Sequence, residues 1–259
     1  MRTLPAGEVL RLWDEGRDAS PQTRALALAA AADDDTVCAV PPAERPIGRI
    51  TAQLLRLRHA LAGPLMTATV GCPGCCGTVE FQATTEALLA LEDKIVDSPP
   101  PLLHGGYEVA WRCLSYGDLR AVAELPDSDE ADEADDPDSG ALLLLQRCLL
   151  SLRHEERTRA PSAADLPGAV REALTGAMSS ADPLADLLVD LRCPDCEHAF
   201  TADLDVAAFV WAELESRGRQ LLLDVDVLAR SYGWSESEVL ALSEPRRASY
   251  LRIVTGELP

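Results

Sequence analysis

A chain of 259 residues, 47% of them apolar, has enough material for one large or two small hydrophobic cores. Aromatics are scarce at 4% while Leu and Ala abound, which favours helices. A formal net charge of −20 argues against a protein whose main partner is a nucleic-acid backbone, since phosphate recognition needs clustered Lys and Arg; the charge suits a soluble protein that meets other proteins.

Taken in order, the chain opens with a predicted helix in "PAGEVLRLWDEG", with Val9, Leu10, Leu12 and Trp13 on one side and Gly16 as a stop. Charges interrupt this start where a signal peptide needs an apolar core, so cytoplasmic synthesis is expected. A second helix follows Ser20-Pro21, a cap with Pro at the first helical position. After a Pro-rich loop, "IGRITAQLLRLRHALAG" places Ile47, Ile50, Leu54, Leu57 and Leu61 on one helical stripe. Arg49, Arg56 and Arg58 fall elsewhere on its surface.

Next, "LMTATV" and "TVEFQA" alternate as strands around a tight Cys-Pro-x-Cys turn, and Thr84 or Thr85 caps a short helix. "LLHGGYEVAWRCL" reads as a second hairpin and "SYGDLRAVAE" as a short helix capped by Ser115. Residues 124–138 hold nine acidic residues and no basic one, the composition of a solvated, disordered loop. "ALLLLQRCLLSLR" and "LPGAVREALTGAMSSADP" are predicted helices. A third hairpin, "DLLVDLRCPDCEHAFTADL", carries another Cys-Pro-x-Cys turn. A long helix then runs from about Asp205 to Ser231, with Phe209, Trp211, Leu214, Leu221, Leu222, Val225 and Leu228 apolar, Asp224 among its charged remainder and Gly218 a soft point. Two short helices close the chain. Ser235 and Glu238 make a capping box for the first, and Ser243 caps the last. Trp234, Val239, Leu240, Leu242, Tyr250, Leu251 and Ile253 are expected to form a small core there, with Arg246 and Arg247 solvated.

The two cysteine turns align at an offset of 121 residues: Cys72 with Cys193, Pro73 with Pro194, Cys75 with Cys196. In both, a helix precedes and follows the hairpin, which suggests an internal duplication. Three readings of the cysteines compete. Cys72, Cys75, Cys193 and Cys196 can bind one zinc, because a tight turn points two sulfurs the same way and two turns complete a four-sulfur tetrahedron. A thioredoxin-type dithiol is the second, though that motif opens a helix, whereas strands flank these turns. Four buried thiols without metal is the third. Cys76 matches Glu197, and His198 matches Gly77, so neither reads as a ligand. Cys38, Cys113 and Cys148 read as buried thiols, and the eight cysteines do not form a secreted disulfide pattern. The sequence contains no phosphate-binding Gly-rich loop, no His-Glu-x-x-His and no Gly-x-Ser-x-Gly, and the four histidines are isolated, so no catalytic role is expected.

The expected fold is α+β and mainly helical, with two zinc-ribbon-like, internally duplicated hairpins sharing one structural zinc. Its segments are residues 1–46 (helical), 47–123 (first helix–hairpin–helix half), 124–140 (acidic loop), 141–204 (second half) and 205–259 (long helix and two-helix tail).

Several ordered pieces carry a family resemblance. They are "VLRLWDEGRDASPQTRALALAAAA", "PIGRITAQLLRLRHALAGP", both Cys-Pro-x-Cys turns, "SYGDLRAVA" and "FVWAELESRGRQLLLDVDVLARSYGWSESEVLALSEPRRASYLRIV". Together they resemble the baseplate hub and assembly proteins of contractile phage tails (T-even type) and phage-tail-like injection systems. The resemblance implies a structural or assembly role, other baseplate, hub or tail proteins as partners, incorporation into a tail-like particle, and no catalysis. The acidic insertion and Cys76 depart from the family pattern. Trp234, Arg246, Arg247 and Tyr250, in the distinctive ending, are the candidate partner-binding residues. A zinc-ribbon adaptor in transcription or RNA handling and a thiol-disulfide oxidoreductase are the alternatives; nucleic acid is not an expected partner, and neither is a membrane span.

Overall fold

Leu, Ala and correctly placed caps start the fold. The structure, a computed structural model, describes residues 4–33, 40–124, 137–154, 157–160 and 162–256. Helix α1 (Ala6–Gly16) buries Val9, Leu10, Leu12 and Trp13, and α2 (Pro21–Ala32) is capped by Ser20, whose hydroxyl accepts from the Thr23 N–H. Helix α3 (Ile47–Ala62) leads into the antiparallel hairpin β1 (Leu65–Gly71) and β2 (Thr78–Thr84), then the short α4 (Thr85–Leu89), capped by Thr84. Strands β3 (Leu102–His104) and β4 (Tyr107–Trp111) precede α5 (Tyr116–Ala123). After α6 (Pro137–Cys148) come β5 (Leu149–His154), β6 (Arg157–Arg159) and α7 (Gly168–Ala181). A second hairpin, β7 (Leu188–Arg192) and β8 (Ala199–Asp203), enters α8 (Val206–Tyr232), which Asp205 caps through the Ala208 N–H. Helices α9 (Glu236–Leu240) and α10 (Glu244–Thr255) follow, α9 with the expected Ser235–Glu238 capping box.

Two cores result. The larger is built by α1, α2, α3 and the first half of α8, with Met66, Ile95, Leu184, Leu187 and Leu204 added from the intervening chain. The second lies under a four-stranded antiparallel sheet in the order β3-β4-β5-β6, where Val109, Trp111, Leu149 and Leu152 meet Val170 and Leu174 of α7. Among the described residues no helix is long and apolar enough to cross a membrane. The architecture is therefore α+β and largely helical, with small antiparallel sheets.

Several expectations change on contact with the structure. Helix α6 stops at Cys148, and Leu149–His154 is a strand rather than a continuing helix, because it pairs along β4 with Val109 opposite Leu152. Gly218 is no soft point: Trp13 lies against it, so close that a Cβ there would stand 2.8 Å from the indole. Trp211 covers Gly16 in the same manner, so each helix offers a glycine to the other's tryptophan. Arg17 sits over the Trp13 ring and Arg24 over the Trp211 ring, each at 4.8 Å.

Arg58 is buried, not on the surface; its guanidinium pairs with Glu213 of α8 and donates to the Gly63 carbonyl. Asp224 is buried and Leu222 exposed, the reverse of their expected places on α8. In the closing helices only Val239 of the expected small core is fully buried, and Ile253 is exposed. The core of residues 125–136 in the acidic segment, and Cys38, lie outside the described residues.

Candidate metal centre

The register of each cysteine hairpin leaves a six-residue turn. Gly71 pairs with Thr78, so Cys72–Gly77 make the first turn; Arg192 pairs with Ala199, so Cys193–His198 make the second. The turns close identically. The first cysteine's N–H donates to the last residue's carbonyl, Cys72 to Gly77 at 2.8 Å and Cys193 to His198 at 2.9 Å. The fifth residue's N–H returns to the first cysteine's carbonyl, Cys76 to Cys72 at 2.8 Å and Glu197 to Cys193 at 3.0 Å. That return forces the fifth residue into the left-handed region, with φ of 60° at Cys76 and 58° at Glu197. Neither is glycine, so both turns carry the same local strain.

The two turns meet face to face. Cys72 Sγ stands 3.6 Å from Cys196 Sγ, and Cys75 Sγ stands 3.6 Å from Cys193 Sγ. All four sulfurs lie within 4.8 Å of one another. These separations are far too long for disulfides at about 2.05 Å. They match the edge of a tetrahedron around a metal with bonds of about 2.3 Å, which is about 3.8 Å. A second reciprocal contact supports the pairing of turns: His198 rests on Gly74, and Asp195 on Gly77, leaving no room for a Cβ at Gly77 and little at Gly74. An offset of 121 residues exchanges both sulfur pairs and both of these contacts, so the two turns are related by an approximate two-fold.

Backbone amides point at the sulfurs. The Gly74 N–H donates to Cys72 Sγ at 3.3 Å. The N–H groups of Cys196 and, less strongly, Asp195 draw Cys193 down to about 7 against the cost of removing it from water. The Gly77 N–H favours the Cys75 thiolate, but the sulfurs of Cys196 and Cys193 outweigh it and push Cys75 up to about 12. Cys196 likewise receives the His198 N–H, yet burial with the Cys72 and Cys193 sulfurs raises it. Four sulfurs this close cannot all hold a proton-free charge unaided; a divalent cation relieves that conflict. The donor set therefore fits one metal ion: four sulfurs within 4.8 Å of one another, two pairs of them at 3.6 Å, with amide donors behind them.

Cys72 and Cys193 are buried beside Val79, with Val70 and Phe200 against them, while Cys75 and Cys196 face outward. His198 is exposed and stacks on Phe200 at 6.2 Å, and Cys76 is exposed; neither belongs to the sulfur cluster. Cys113 and Cys148 are buried, as expected, and burial pushes both thiols up, to about 11 and about 12.

The other predicted site residues divide. Trp234 and Tyr250 join an aromatic cluster that the sequence reading missed a member of: Tyr232 stacks on Trp234 at 4.7 Å, and both meet Tyr250 edge-on. Its position two residues before Trp234, at the end of α8, was the available clue. Arg246 lies over the Tyr250 ring at 5.9 Å. Arg247 is not available as a solvated partner contact: it is only 5% exposed and bonds Asp224 at 3.1 Å, because its position on α10 faces α8.

No protein-family model, no curated protein and no solved structure matches the chain.

Proposed function

We propose that this chain is a non-enzymatic structural or assembly component of the baseplate or hub of a contractile phage-tail-like injection system, its fold stapled by one structural zinc. The observation that carries the structural, non-enzymatic part of this reading is the four-sulfur cluster formed by turns 121 residues apart. Four thiolates fill a tetrahedral ion and leave no position for water or substrate, so such an ion holds structure rather than doing chemistry. Cys72, Cys75, Cys193 and Cys196 are its ligands. The matching hydrogen bonds and matching left-handed residues of the two turns support an origin by duplication of one zinc-ribbon-like hairpin.

The baseplate assignment rests on the family resemblance of the sequence. Its resembling pieces are α1 and α2, α3, α5 and α8 to α10, besides the two turns, and α1, α2, α3 and α8 supply most of the larger core. Partners are other baseplate, hub or tail proteins, met after cytoplasmic synthesis, and the half-exposed Tyr232–Trp234–Tyr250 cluster with Arg246 is the surface best suited to them.

Metal analysis of the purified chain tests the site. One zinc per chain is expected, and Cys193→Ser should lose the whole equivalent; loss of half the metal would mean two separate sites. A clean deletion of the gene tests the role. Cells lacking it should contain no assembled sheathed particles, and normal particles would overturn the assignment.

A further inference from the structure

Helices α3, α8 and α10 line a half-open cavity of about 570 Å³, away from the sulfur cluster. Aliphatic side chains dominate its wall: Leu57, Leu61, Val210, Leu214, Leu221 and Leu251. Three ion pairs also line it. Arg217 bonds Glu244 at 2.6 Å near the rim, and Arg58 meets Glu213 at 3.1 Å. Arg58 is fully engaged, since its Nε and both Nη groups have acceptors.

Arg247 is not. Its Nε donates to Asp224 Oδ2 at 3.1 Å, and the other Asp224 oxygen already accepts from Gln220 at 2.9 Å. The two Nη groups of Arg247 have no hydrogen-bond acceptor among the described residues, although the residue is 95% removed from solvent and lines the cavity. An Arg whose Nη edge is open, held rigid through Nε, is built to receive a carboxylate in a two-pronged bond. The rest of the wall offers apolar contact.

We infer that this cavity is a binding site for a small medium-chain aliphatic carboxylate, with the tail along the leucines of α3 and α8 and the carboxylate on the Nη groups of Arg247. Glu213, Asp224 and Glu244 are each paired with an arginine, so the lining carries no net charge and the preference for a carboxylate comes from the unfilled Nη donors of Arg247.

Calorimetric titration of the zinc-loaded full chain with octanoate tests this. Saturable binding of one octanoate per chain is expected, with methyl octanoate at least tenfold weaker because it lacks the charge. Arg247→Lys keeps a cation for Asp224 but loses the fork, and should weaken octanoate at least tenfold. Ala248→Phe narrows the cavity from its lining without touching Arg247, and should abolish binding while melting as the parent does. Absence of saturable binding, equal affinity for the ester, or wild-type binding by the Ala248 variant would overturn the inference.

Discussion

Trp13 on Gly218 and Trp211 on Gly16 show how single residues fix the distance between α1 and α8. Ordinary helix propensity says that Gly218→Ala should stabilise by about 1 kcal/mol. Here the new methyl would stand 2.8 Å from the Trp13 ring in a packed core, and overpacking costs about 1–3 kcal/mol. The clash should win, so the urea midpoint of Gly218→Ala falls. Gly176, inside α7 with nothing near its absent Cβ, is the control: Gly176→Ala should raise stability by about 0.5–1 kcal/mol. Asp118 makes the corresponding case for charge. Burial opposes its ionisation, but the Arg112 guanidinium and the Ser115 hydroxyl and N–H hold it down at about 2. An unfolded Asp titrates near about 3.9, so the stabilisation is complete above about pH 4 and drains away as pH falls towards 2. Asp118→Asn should cost about 2 kcal/mol at pH 7, and that difference from wild type should shrink in urea titrations between pH 4 and 2. A difference independent of pH would mean that the carboxylate charge does nothing there.

The cysteine turns are the elements in which sequence and structure agree most closely. Alternating strands and Cys-Pro-x-Cys define them locally, so their existence was legible without long-range information. Their left-handed fifth residues were not, because Cys76 and Glu197 are poor choices for positive φ. Glycine at either position removes strain of about 1–2 kcal/mol and returns part of it as unfolded-chain entropy. Cys76→Gly and Glu197→Gly should each gain about 0.5–1 kcal/mol, and Cys76→Gly should keep its full metal equivalent. Metal loss in that variant would make Cys76 a ligand. By contrast, the strand Leu149–His154 could not be told from helix in the sequence. Its apolar run fits either period, and its partner β4 lies across the acidic insertion.

At the scale of the whole molecule, the buried charges were the least legible features. Arg58 finds Glu213 across 155 positions and Arg247 finds Asp224 between two helices, and no local pattern encodes such meetings. The pairing of the two turns was readable only through their likeness to each other. A metal shared between the turns would add to global stability. Joining residues about 120 positions apart removes unfolded-state freedom worth about 4–5 kcal/mol in the loop-closure picture. For a chain of this size each kcal/mol moves the melting temperature by about 2–4 °C, so stripping a bound metal should lower it by about 8–20 °C. The larger core contains none of the four sulfurs, and its helices bury their own leucines and alanines. Helical circular dichroism at 25 °C should therefore survive chelation while the melting curve shifts. Cys75→Ser should melt where the chelated parent does and stop responding to chelator. An unchanged melting curve after complete metal removal would show that the hairpins stay docked through Val79, Phe200 and the reciprocal contacts of His198 and Asp195 alone.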